Sequence, residues 1–402
     1  MYCVKKVTED LTWIGGNDRR LELFENVFPI PEGVSYNSYF LNDEKTVLLD
    51  TVDYAVSRVF LENLEHVLNG RKLDYVIINH MEPDHAATAE VVAKAYPEAT
   101  FVCNDKTLKM MKQFFNFDID SRVQLVAEGD TLSTGKHEFH FVMAPMVHWP
   151  EVMVSYDATD KILFSADAFG TFGTLDGKIF NDEFNFDRDL IDHARRYYTN
   201  IVGKYGNQVQ KLLKKAEGID IQMICPLHGP VWRSNIGYFL EKHVQWSTYK
   251  EEKKGIVVIY ASMYGGTENM AEIFAAGLAD KGITEIAVYD ASKTHPSYLI
   301  GEIFKYSHVA IASPTYNSNA HPVIETLLND MEHLAVQNKT VAIMENGTWA
   351  AQSGKKIRKA LEEMKNITIL EPTVSIKSTM KEAELGDMQA LIDACAASLI
   401  EE

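Results

Sequence analysis

The sequence lacks any long apolar run, and it contains few cysteines. No segment reaches the roughly 18 consecutive apolar residues that a membrane span requires, and the N-terminal MYCVKKVTEDLTW has no apolar core followed by a small-residue cleavage site. The 402 residues include four cysteines, and no two of them form a CxxC pair. The sequence therefore argues against a membrane protein, a disulfide framework and a cysteine-ligated zinc or rubredoxin-type site. It predicts a cytoplasmic protein with reduced thiols.

Basic residues are also scarce relative to acidic ones. The formal net charge is −18 and no dense Lys/Arg tract occurs, which argues against nucleic-acid binding because a phosphate backbone requires a basic surface. Hydrophobic residues make up 46% and charged residues 24% of the chain, which is the balance of a folded globular protein. At roughly 100–200 residues per domain, the length predicts two domains.

Short β-rich runs recur between residue 35 and about residue 230, including TVLLDTV, DYVIINH, HEFHFVMAP and KILFSAD. Helical patterns lie between some of them. Apolar residues recur at three- to four-residue steps from Phe60 to Leu68 and stop before Gly70, which predicts an amphipathic helix. Strands mixed with helices predict a layered α/β or α+β domain.

A regular alternation of strands and helices follows the charged stretch EEKK at residues 251–254. We therefore place the domain boundary near residue 250 and predict domains 1–250 and 251–402. The predicted elements beyond the boundary are strand 255–261, helix from 267, strand 284–290, strand 307–312, helix from 322, strand 340–345 and helix from 354. This alternation predicts a doubly wound parallel sheet.

A cluster of histidines and carboxylates follows one strand of the first domain. The run YVII leads directly into HMEPDH, which places His80, Glu82, Asp84 and His85 within six residues at the end of a strand. Pro83 is expected to keep this segment from continuing as a helix. A single histidine is more often structural than a ligand, but clustered His, Asp and Glu side chains are typical of metal sites.

Three further candidate ligands each follow a strand-like run, namely His148, Asp167 and His228. The whole set contains four imidazoles, three carboxylates and no thiolate, which suits iron, manganese or zinc. Seven ligands are too many for one tetrahedral ion. The set divides sensibly between two ions that share one carboxylate and keep open positions for a small molecule.

The ligand pattern resembles that of the metallo-β-lactamase fold, and within it that of the flavodiiron proteins. Hydrolytic members usually carry His-x-His-x-Asp-His, whereas this chain has Glu82 at the second position, which is the mark of the flavodiiron family. The resemblance implies two non-haem irons and leaves open whether His85 binds iron in every state. The resemblance implies that the first iron is bound by His80, Glu82 and His148. It implies that the second iron is bound by Asp84, His85 and His228, and that Asp167 bridges the two irons.

Four residues near the predicted site are interpreted as structural. Asp50 and Asp53 follow the run VLL, where acidic residues usually cap a turn. Tyr197 and Tyr198 could supply a proton or a hydrogen bond near the irons, but tyrosines in an amphipathic segment are usually packing residues. None of the four is included in the predicted site, and no catalytic residue is predicted beyond the metal ligands.

The second domain carries three loops that suit a flavin. Its first strand ends in SMYGGTEN and a helix follows, so that hydroxyls, glycines and unpaired helix N–H groups can bind a monophosphate without an arginine. Two further strand ends, SPTYN and ENGTW, add flexible backbone and aromatic rings that could cover an isoalloxazine ring. These loops resemble those of flavodoxins and predict bound FMN. The predicted FMN-binding residues are Ser262, Met263, Tyr264, Gly265, Gly266, Thr267, Ser313, Pro314, Thr315, Tyr316, Asn317, Asn346, Gly347, Thr348 and Trp349.

The resemblance to flavodiiron proteins covers essentially the whole chain, and it is to members that contain only these two domains. It implies an N-terminal metallo-β-lactamase-like αββα domain followed by a flavodoxin-like doubly wound parallel sheet. It also implies that FMN passes electrons to the di-iron centre, which reduces dioxygen to water or nitric oxide to nitrous oxide. An external donor such as rubredoxin or a reduced deazaflavin, and a head-to-tail homodimer or dimer of dimers, are further implications.

Two other classes of function stay open at this point. The first is a zinc-dependent hydrolase with an attached flavodoxin domain, because the same first-domain fold serves hydrolases. The second is a non-enzymatic FMN electron carrier whose first domain only docks a partner or senses a gas. Metal analysis separates the hydrolase from the oxidoreductase, and turnover assays separate the carrier from either enzyme.

Overall fold

Short strands and helices form the N-terminal part of the chain in the computed structural model, which describes residues 1–401. The strands are β1 (Lys5–Lys6), β2 (Leu11–Trp13), β3 (Gly16–Asp18), β4 (Leu23–Phe24), β5 (Phe28–Pro29), β6 (Val34–Tyr36), β7 (Tyr39–Asn42), β8 (Thr46–Leu49), β9 (Tyr75–Ile77), β10 (Thr100–Cys103), β11 (Val123–Leu125), β12 (Thr131–Ser133), β13 (Glu138–Met143), β14 (Met153–Asp157), β15 (Ile162–Phe164) and β16 (Met223–Cys225). The helices are α1 (Ser57–Leu68), α2 (Pro83–Ala86), α3 (Ala89–Ala95), α4 (Asp105–Phe114), α5 (Phe186–Asp189), α6 (Ile191–Tyr197), α7 (Gly206–Ala216) and α8 (Ile236–Ser247).

These strands form two main sheets. The first has the order β1-β2-β7-β8-β9-β10-β11, and the second has the order β12-β13-β14-β15-β16. In the first sheet the pairs from β8 to β11 are parallel, and in the second only β15 and β16 are parallel. Two small pairs, β3 with β6 and β4 with β5, lie outside these sheets.

The two main sheets share one hydrophobic core. Leu11 and Trp13 on β2 and Phe139 and Phe141 on β13 all belong to it, because side chains two residues apart on a strand point to the same face. The amphipathic helix α1 contacts β7 and buries Phe60. The predicted end of α1 is confirmed, since its C-terminal residue is followed by left-handed backbone and then by a glycine. The predicted αββα fold class is confirmed.

The C-terminal part alternates strands and helices. Its strands are β17 (Lys253–Tyr260), β18 (Ile286–Asp290), β19 (Tyr306–Pro314), β20 (Lys339–Asn346), β21 (Ile367–Ile369) and β22 (Val374–Ile376). Its helices are α9 (Gly266–Asp280), α10 (Pro296–Lys305), α11 (Pro322–His333), α12 (Ser353–Glu362) and α13 (Leu385–Glu401). All strand pairs are parallel, in the order β18-β17-β19-β20-β21, with β22 also paired to β20.

Helices cover both faces of this parallel sheet. Residues of α10, α11 and α12 pack with Val257 and Ile259 on one face, and residues of α9 and α13 pack with Ile256 and Val258 on the other. The predicted doubly wound sheet is therefore confirmed. The sequence pattern did not include α10 or α13. Helix α10 begins at Pro296, and proline is well tolerated at the first helical position.

The chain forms two compact units. The first comprises Met1–Tyr198 and Asn207–His243, and the second comprises Thr199–Gly206 and the chain from Val244 onward. The domain limits 1–250 and 251–402 stay a prediction. In the described part of the chain, no helix combines the length and the apolar character that crossing a bilayer demands.

Candidate metal and flavin sites

The predicted ligand segment follows β9 without a break. His80 and Glu82 lie in the connection after β9, and Asp84 and His85 lie in α2. Pro83 occupies the first position of α2, so the expectation that it would prevent a helix was wrong. Proline fits there because the first helical N–H has no intrahelical partner in any case.

The other three candidate ligands come from the ends of strands in the second sheet. His148 lies between β13 and β14, Asp167 follows β15, and His228 follows β16. Since β15 and β16 are parallel, their C-terminal ends lie at the same edge of the sheet. The fold brings all three side chains to the segment that follows β9.

One group of ligands consists of His80, Glu82, His148 and Asp167, all of them buried. Nε2 of His148 lies 2.9 Å from Glu82 Oε2 and 3.1 Å from Asp167 Oδ2. Nε2 of His80 lies 3.2 Å from Glu82 Oε2 and 3.4 Å from Asp167 Oδ2. Two imidazole nitrogens and two carboxylate oxygens thus converge on one point.

The second group consists of Asp84, His85 and His228. The Nε2 atoms of the two histidines lie 3.0 Å apart, and they lie 3.3 and 3.1 Å from Asp84 Oδ2. Asp167 Oδ1 lies 3.0 Å from His85 Nε2 and 3.7 Å from His228 Nε2. Asp167 therefore presents Oδ2 to the first group and Oδ1 to the second, which is the geometry of a bridging carboxylate.

Buried oxygens in these groups fit cations. Within residues 1–401, both carboxylate oxygens of Asp84 and Oδ1 of Asp167 are buried and make no hydrogen bond. Leaving a buried carboxylate oxygen without a partner is costly, and a metal ion satisfies such an atom directly. Imidazole nitrogens and carboxylate oxygens together suit iron, manganese or zinc. The residues therefore fit the two metal ions that their pattern implies.

Electrostatic interactions keep Glu82 and Asp167 ionised. Burial alone would raise the pKa of Glu82, but hydrogen bonds from His148 and His80 lower it. The pKa of Asp167 is likewise held well below its ordinary value by His85 and His80, although the group is fully buried. Burial lowers the pKa of His148, yet hydrogen bonds with Asp167 and Glu82 outweigh it and raise the pKa to about 9. Ionised carboxylates are the form that binds cations.

Two ligand histidines are also held at their second ring nitrogen. Nδ1 of His80 lies 2.8 Å from Glu151 Oε1, and Nδ1 of His228 donates to the carbonyl oxygen of Ser35 at 2.8 Å. These contacts fix the tautomer and leave Nε2 facing the metal groups. The sequence pattern did not predict Glu151 or Ser35 as part of the site, because neither belongs to the ligand motif.

Three of the four residues interpreted as structural, namely Asp53, Tyr197 and Tyr198, have different surroundings. Asp53 caps a turn by accepting from the Ala55 N–H at 2.7 Å, as expected. Tyr197 is buried with its ring centroid 5.5 Å from that of His228, and its hydroxyl has no hydrogen-bond partner among residues 1–401. Tyr198 packs edge-on against His243. Tyr197 therefore packs directly against a predicted ligand.

The predicted phosphate loop has the geometry of an anion site. Helix α9 begins at Gly266 without a side-chain cap, which leaves the N–H groups of its first turn available to an anion. Gly265 precedes it with φ of 86°, and its N–H donates to Ser262 Oγ at 3.0 Å. A Cβ at Gly266 would lie 2.0 Å from the carbonyl oxygen of Ser378, so only glycine fits. Thr267 is buried in the first turn of α9.

The other two predicted loops lie at the same edge of the sheet. Thr315 N–H donates to the Asn346 carbonyl at 2.7 Å and thereby joins them. Asn346 Nδ2 donates to Thr267 Oγ1 at 3.3 Å, which links them to the phosphate loop. Asn346 also exchanges hydrogen bonds with the backbone of Ser378, a residue that the sequence pattern did not predict.

Exposed aromatic side chains surround this edge. Trp349 is 91% exposed and Tyr264 is 98% exposed, which is unusual for large rings. Met263 and Tyr316 are also among the exposed large side chains. A flat ring system bound at this edge would cover them, so these residues fit FMN. The remaining predicted contacts, Ser313, Pro314, Asn317, Gly347 and Thr348, belong to the same loops, and all fifteen assignments stay a prediction.

Comparisons with known proteins agree with this geometry. Residues 34–229 match the ODP family beta lactamase, and residues 258–390 match the Flavodoxin family. The nitric oxide reductase of Moorella thermoacetica is 30% identical over 375 residues, with 92% of each chain covered. The rubredoxin oxygen:oxidoreductase of Desulfovibrio gigas is 28% identical, with a TM-score of 0.93 over 99% of each chain. The flavodiiron protein of Giardia intestinalis is 26% identical, with a TM-score of 0.88 over 99% of this chain and 98% of the other. These matches span both units and both candidate sites, and this chain therefore belongs to the flavodiiron protein family.

Proposed function

We propose that this chain is an oxidoreductase that reduces nitric oxide to nitrous oxide or dioxygen to water, with electrons that pass from FMN to two irons. The observation that carries the proposal is Asp167, whose two carboxylate oxygens face two separate ligand groups. Relatives with these activities in their names, a nitric oxide reductase and a rubredoxin oxygen:oxidoreductase, support it.

The roles of the ligands follow from their positions. His80, Glu82 and His148 would hold one iron, and the other group would hold the second, with Asp167 shared. Two irons so held would supply single electrons and open coordination positions to a diatomic gas. Glu82 contributes an anionic oxygen where the hydrolytic pattern has an imidazole, and such a donor favours the ferric state. Hydrolysis by zinc requires no valence change.

Aromatic rings pack around His228 of the second group. The imidazole of His228 is fully buried and is contacted by the rings of Phe24, Tyr36 and Tyr197, with centroid distances of 5.5, 5.8 and 5.5 Å. His85 is also fully buried. An aromatic wall of this kind admits a small uncharged molecule more readily than a hydrated ion. This environment supports a diatomic gas as the substrate.

The C-terminal unit would hold FMN by its phosphate and by its ring. The N-terminus of α9 and the backbone around Gly266 would bind the phosphate, as the fit of that loop indicates. Trp349 and Tyr316 would lie against the isoalloxazine and limit its exposure to solvent. Asn346 would connect the loop that contacts the ring to the loop that binds the phosphate, through its hydrogen bond to Thr267.

The electron donor, the assembly and the location complete the proposal. A rubredoxin is a candidate donor because it stands in the name of the Desulfovibrio gigas relative, and a reduced deazaflavin is an alternative. We expect a head-to-tail homodimer, or a dimer of such dimers, that brings the flavin of one subunit to the irons of the other. A cytoplasmic location agrees with the sequence composition.

Gas consumption by iron-loaded, FMN-loaded protein tests the proposal. In sealed assays with excess reductant and either nitric oxide or dioxygen supplied, the wild-type chain should consume one of the two gases, and Glu82→His should lose most of that activity. The matched control is Glu138→Gln, an exposed glutamate on β13, which should leave the activity unchanged. A fully loaded wild-type protein that consumes neither gas would contradict the proposal.

A further inference from the structure

We propose that Glu151 is a positioning residue for the first metal, which it influences through His80. The inference rests on the proposed function only in taking His80 as a metal ligand. Glu151 does not reach the ligand group itself, because its contacts are with the far nitrogen of the His80 ring and with the backbone of the ligand segment.

The geometry of Glu151 matches that role. Its Oε1 atom lies 2.8 Å from Nδ1 of His80 and accepts from the Met81 N–H at 2.9 Å. One oxygen thus fixes both the ring and the backbone that carries it. The side chains of Glu151 and His80 are both fully buried, so water does not compete for these contacts. The second oxygen of Glu151, Oε2, makes no hydrogen bond within residues 1–401.

The protein holds Glu151 in place from the other side. The Asn104 side chain donates from Nδ2 to the carbonyl oxygen of Glu151 at 2.6 Å. Asn104 is itself the N-cap of α4, where its Oδ1 accepts from the N–H groups of Lys106 and Thr107. The start of α4 therefore fixes the loop that carries Glu151. This chain of contacts runs from α4 to His80 without using an exposed side chain as a link.

A comparison of the ligand histidines shows what is particular to Glu151. His228 donates from Nδ1 to a neutral backbone carbonyl, that of Ser35. Nδ1 of His85 has no hydrogen-bond partner in the described residues. Of these three histidines, only His80 has a carboxylate oxygen next to its Nδ1 atom within residues 1–401. A carboxylate acceptor increases the electron density that the imidazole offers to a metal, more than a carbonyl does. The two metal positions are therefore unequal in a manner that Glu151 determines.

Two consequences follow for bound metals. The first position should bind a divalent metal more tightly than it would without Glu151, and contacts of this kind typically contribute about 10–100-fold in affinity. When the metal is iron, the first position should also favour the ferric state, so its reduction potential should lie lower than in a variant without the carboxylate. The second position should be little affected.

The test uses the full-length chain with FMN bound and metals removed. Cobalt(II) titration, followed by its visible spectrum, measures both metal positions in wild type, Glu151→Gln and Glu151→Ala. We expect one cobalt to bind about 10–100-fold more weakly in Glu151→Ala, an intermediate effect in Glu151→Gln, and no change at the other position. Glutamine keeps an acceptor for His80 and Met81 but lacks the charge. Equal cobalt affinities in all three proteins would overturn the proposal.

A second measurement separates positioning from a loss of fold. In the iron-loaded proteins, redox titration should show a higher reduction potential for one iron in Glu151→Gln than in wild type, and an unchanged potential would also overturn the proposal. Asp74→Asn is the matched control, since Asp74 is a buried carboxylate that accepts from the Thr46 N–H at 3.0 Å in the same unit. If the iron-loaded wild-type protein reduces neither gas, the proposed function is contradicted. The cobalt titration still decides the role of Glu151 in that case.

Discussion

Asp50 and Asn79 are joined by two hydrogen bonds beneath the ligand segment. Oδ1 of Asp50 accepts from the Asn79 N–H at 2.7 Å, and Oδ2 accepts from Asn79 Nδ2 at 2.7 Å. The Asn79 side chain in turn accepts from the Ser155 hydroxyl at 2.6 Å. All three residues are buried. This network links the ends of β8 and β9 to β14 and fixes the residue that directly precedes His80.

The substitution Asp50→Ala should disturb both the fold and the metal site. It would leave the N–H and the side-chain amide of Asn79 buried without partners, which should lower the free energy of unfolding by about 1–3 kcal/mol. Denaturant unfolding and metal analysis measure the two effects. The control is Asp53→Ala, which removes only a turn cap and should leave the metal content unchanged. An Asp50→Ala protein with wild-type stability and metal content would contradict this account.

His137 should make the stability of the N-terminal unit depend on pH. Its Nδ1 lies 2.8 Å from Asp157 Oδ2 and its Nε2 lies 3.3 Å from Asp10 Oδ2. Burial lowers the pKa of His137, but the contact with Asp157 and then that with Asp10 outweigh it and raise the pKa above its ordinary value of 6.5. The folded state therefore binds this proton more tightly than the unfolded state. The stabilisation is complete below about pH 6.5 and is lost as the pH rises through the folded pKa.

Denaturant unfolding of wild type and His137→Gln, measured below and above pH 6.5, tests the direction of this pH dependence. We expect the variant to be less stable than wild type at about pH 6, with the difference in the free energy of unfolding shrinking at higher pH. Unfolding in a chelator-containing buffer removes any contribution of metal ions. The control is His140→Gln, because the His140 side chain is 41% exposed and its ring pairs with the exposed Glu138. If the difference in stability between wild type and His137→Gln grew as the pH rises, the predicted direction of the pH dependence would be wrong.

Gly266→Ala should weaken FMN binding. The added Cβ would lie 2.0 Å from the Ser378 carbonyl, so the start of α9 or the Ser378 loop must move. Since the phosphate is expected at this point, the affinity for FMN should fall at least tenfold, or about 1.4 kcal/mol. Flavin fluorescence titration measures it. Gly386→Ala is the control, because a Cβ there meets nothing within 4 Å. Equal affinity in the two variants would argue against this phosphate position.

Trp349→Ala should separate flavin binding from stability. The side chain is 91% exposed, so its removal should change the free energy of unfolding by no more than about 0.5 kcal/mol. If the ring covers the isoalloxazine, the variant should nevertheless bind FMN more weakly and shift the flavin reduction potential. Tyr54→Ala, which removes another exposed aromatic residue far away in the sequence, should change neither the FMN affinity nor the flavin reduction potential. Unchanged FMN affinity and potential in Trp349→Ala would exclude Trp349 from the flavin site.

Much of the candidate metal site could be predicted because its chemistry is contiguous in sequence. His80 to His85 follow one strand, and the three remote ligands follow other strands, so local pattern and strand polarity were sufficient to group them. The predicted effect of Pro83 was wrong, since the rule that proline interrupts helices does not apply at the first helical position. That error did not affect the ligand assignment.

The residues that support the ligands could not be predicted in the same way. Glu151 meets His80 across 71 positions of sequence, and Ser35 meets His228 across 193. Ser378 reaches the flavin loops from beyond β22. Each contact exists only because two segments approach in the folded chain, and none of these residues belongs to a motif. Asp50 was interpreted as a turn residue for the same reason, although its partner Asn79 lies 29 positions away.

The most direct test of the account is quantitative metal and flavin analysis of protein purified anaerobically with an iron supply. We predict two irons and one FMN per chain, because Asp167 faces two ligand groups and the C-terminal unit carries a single set of flavin loops. Zinc in place of iron, despite the iron supply, would contradict the redox account and favour the hydrolase.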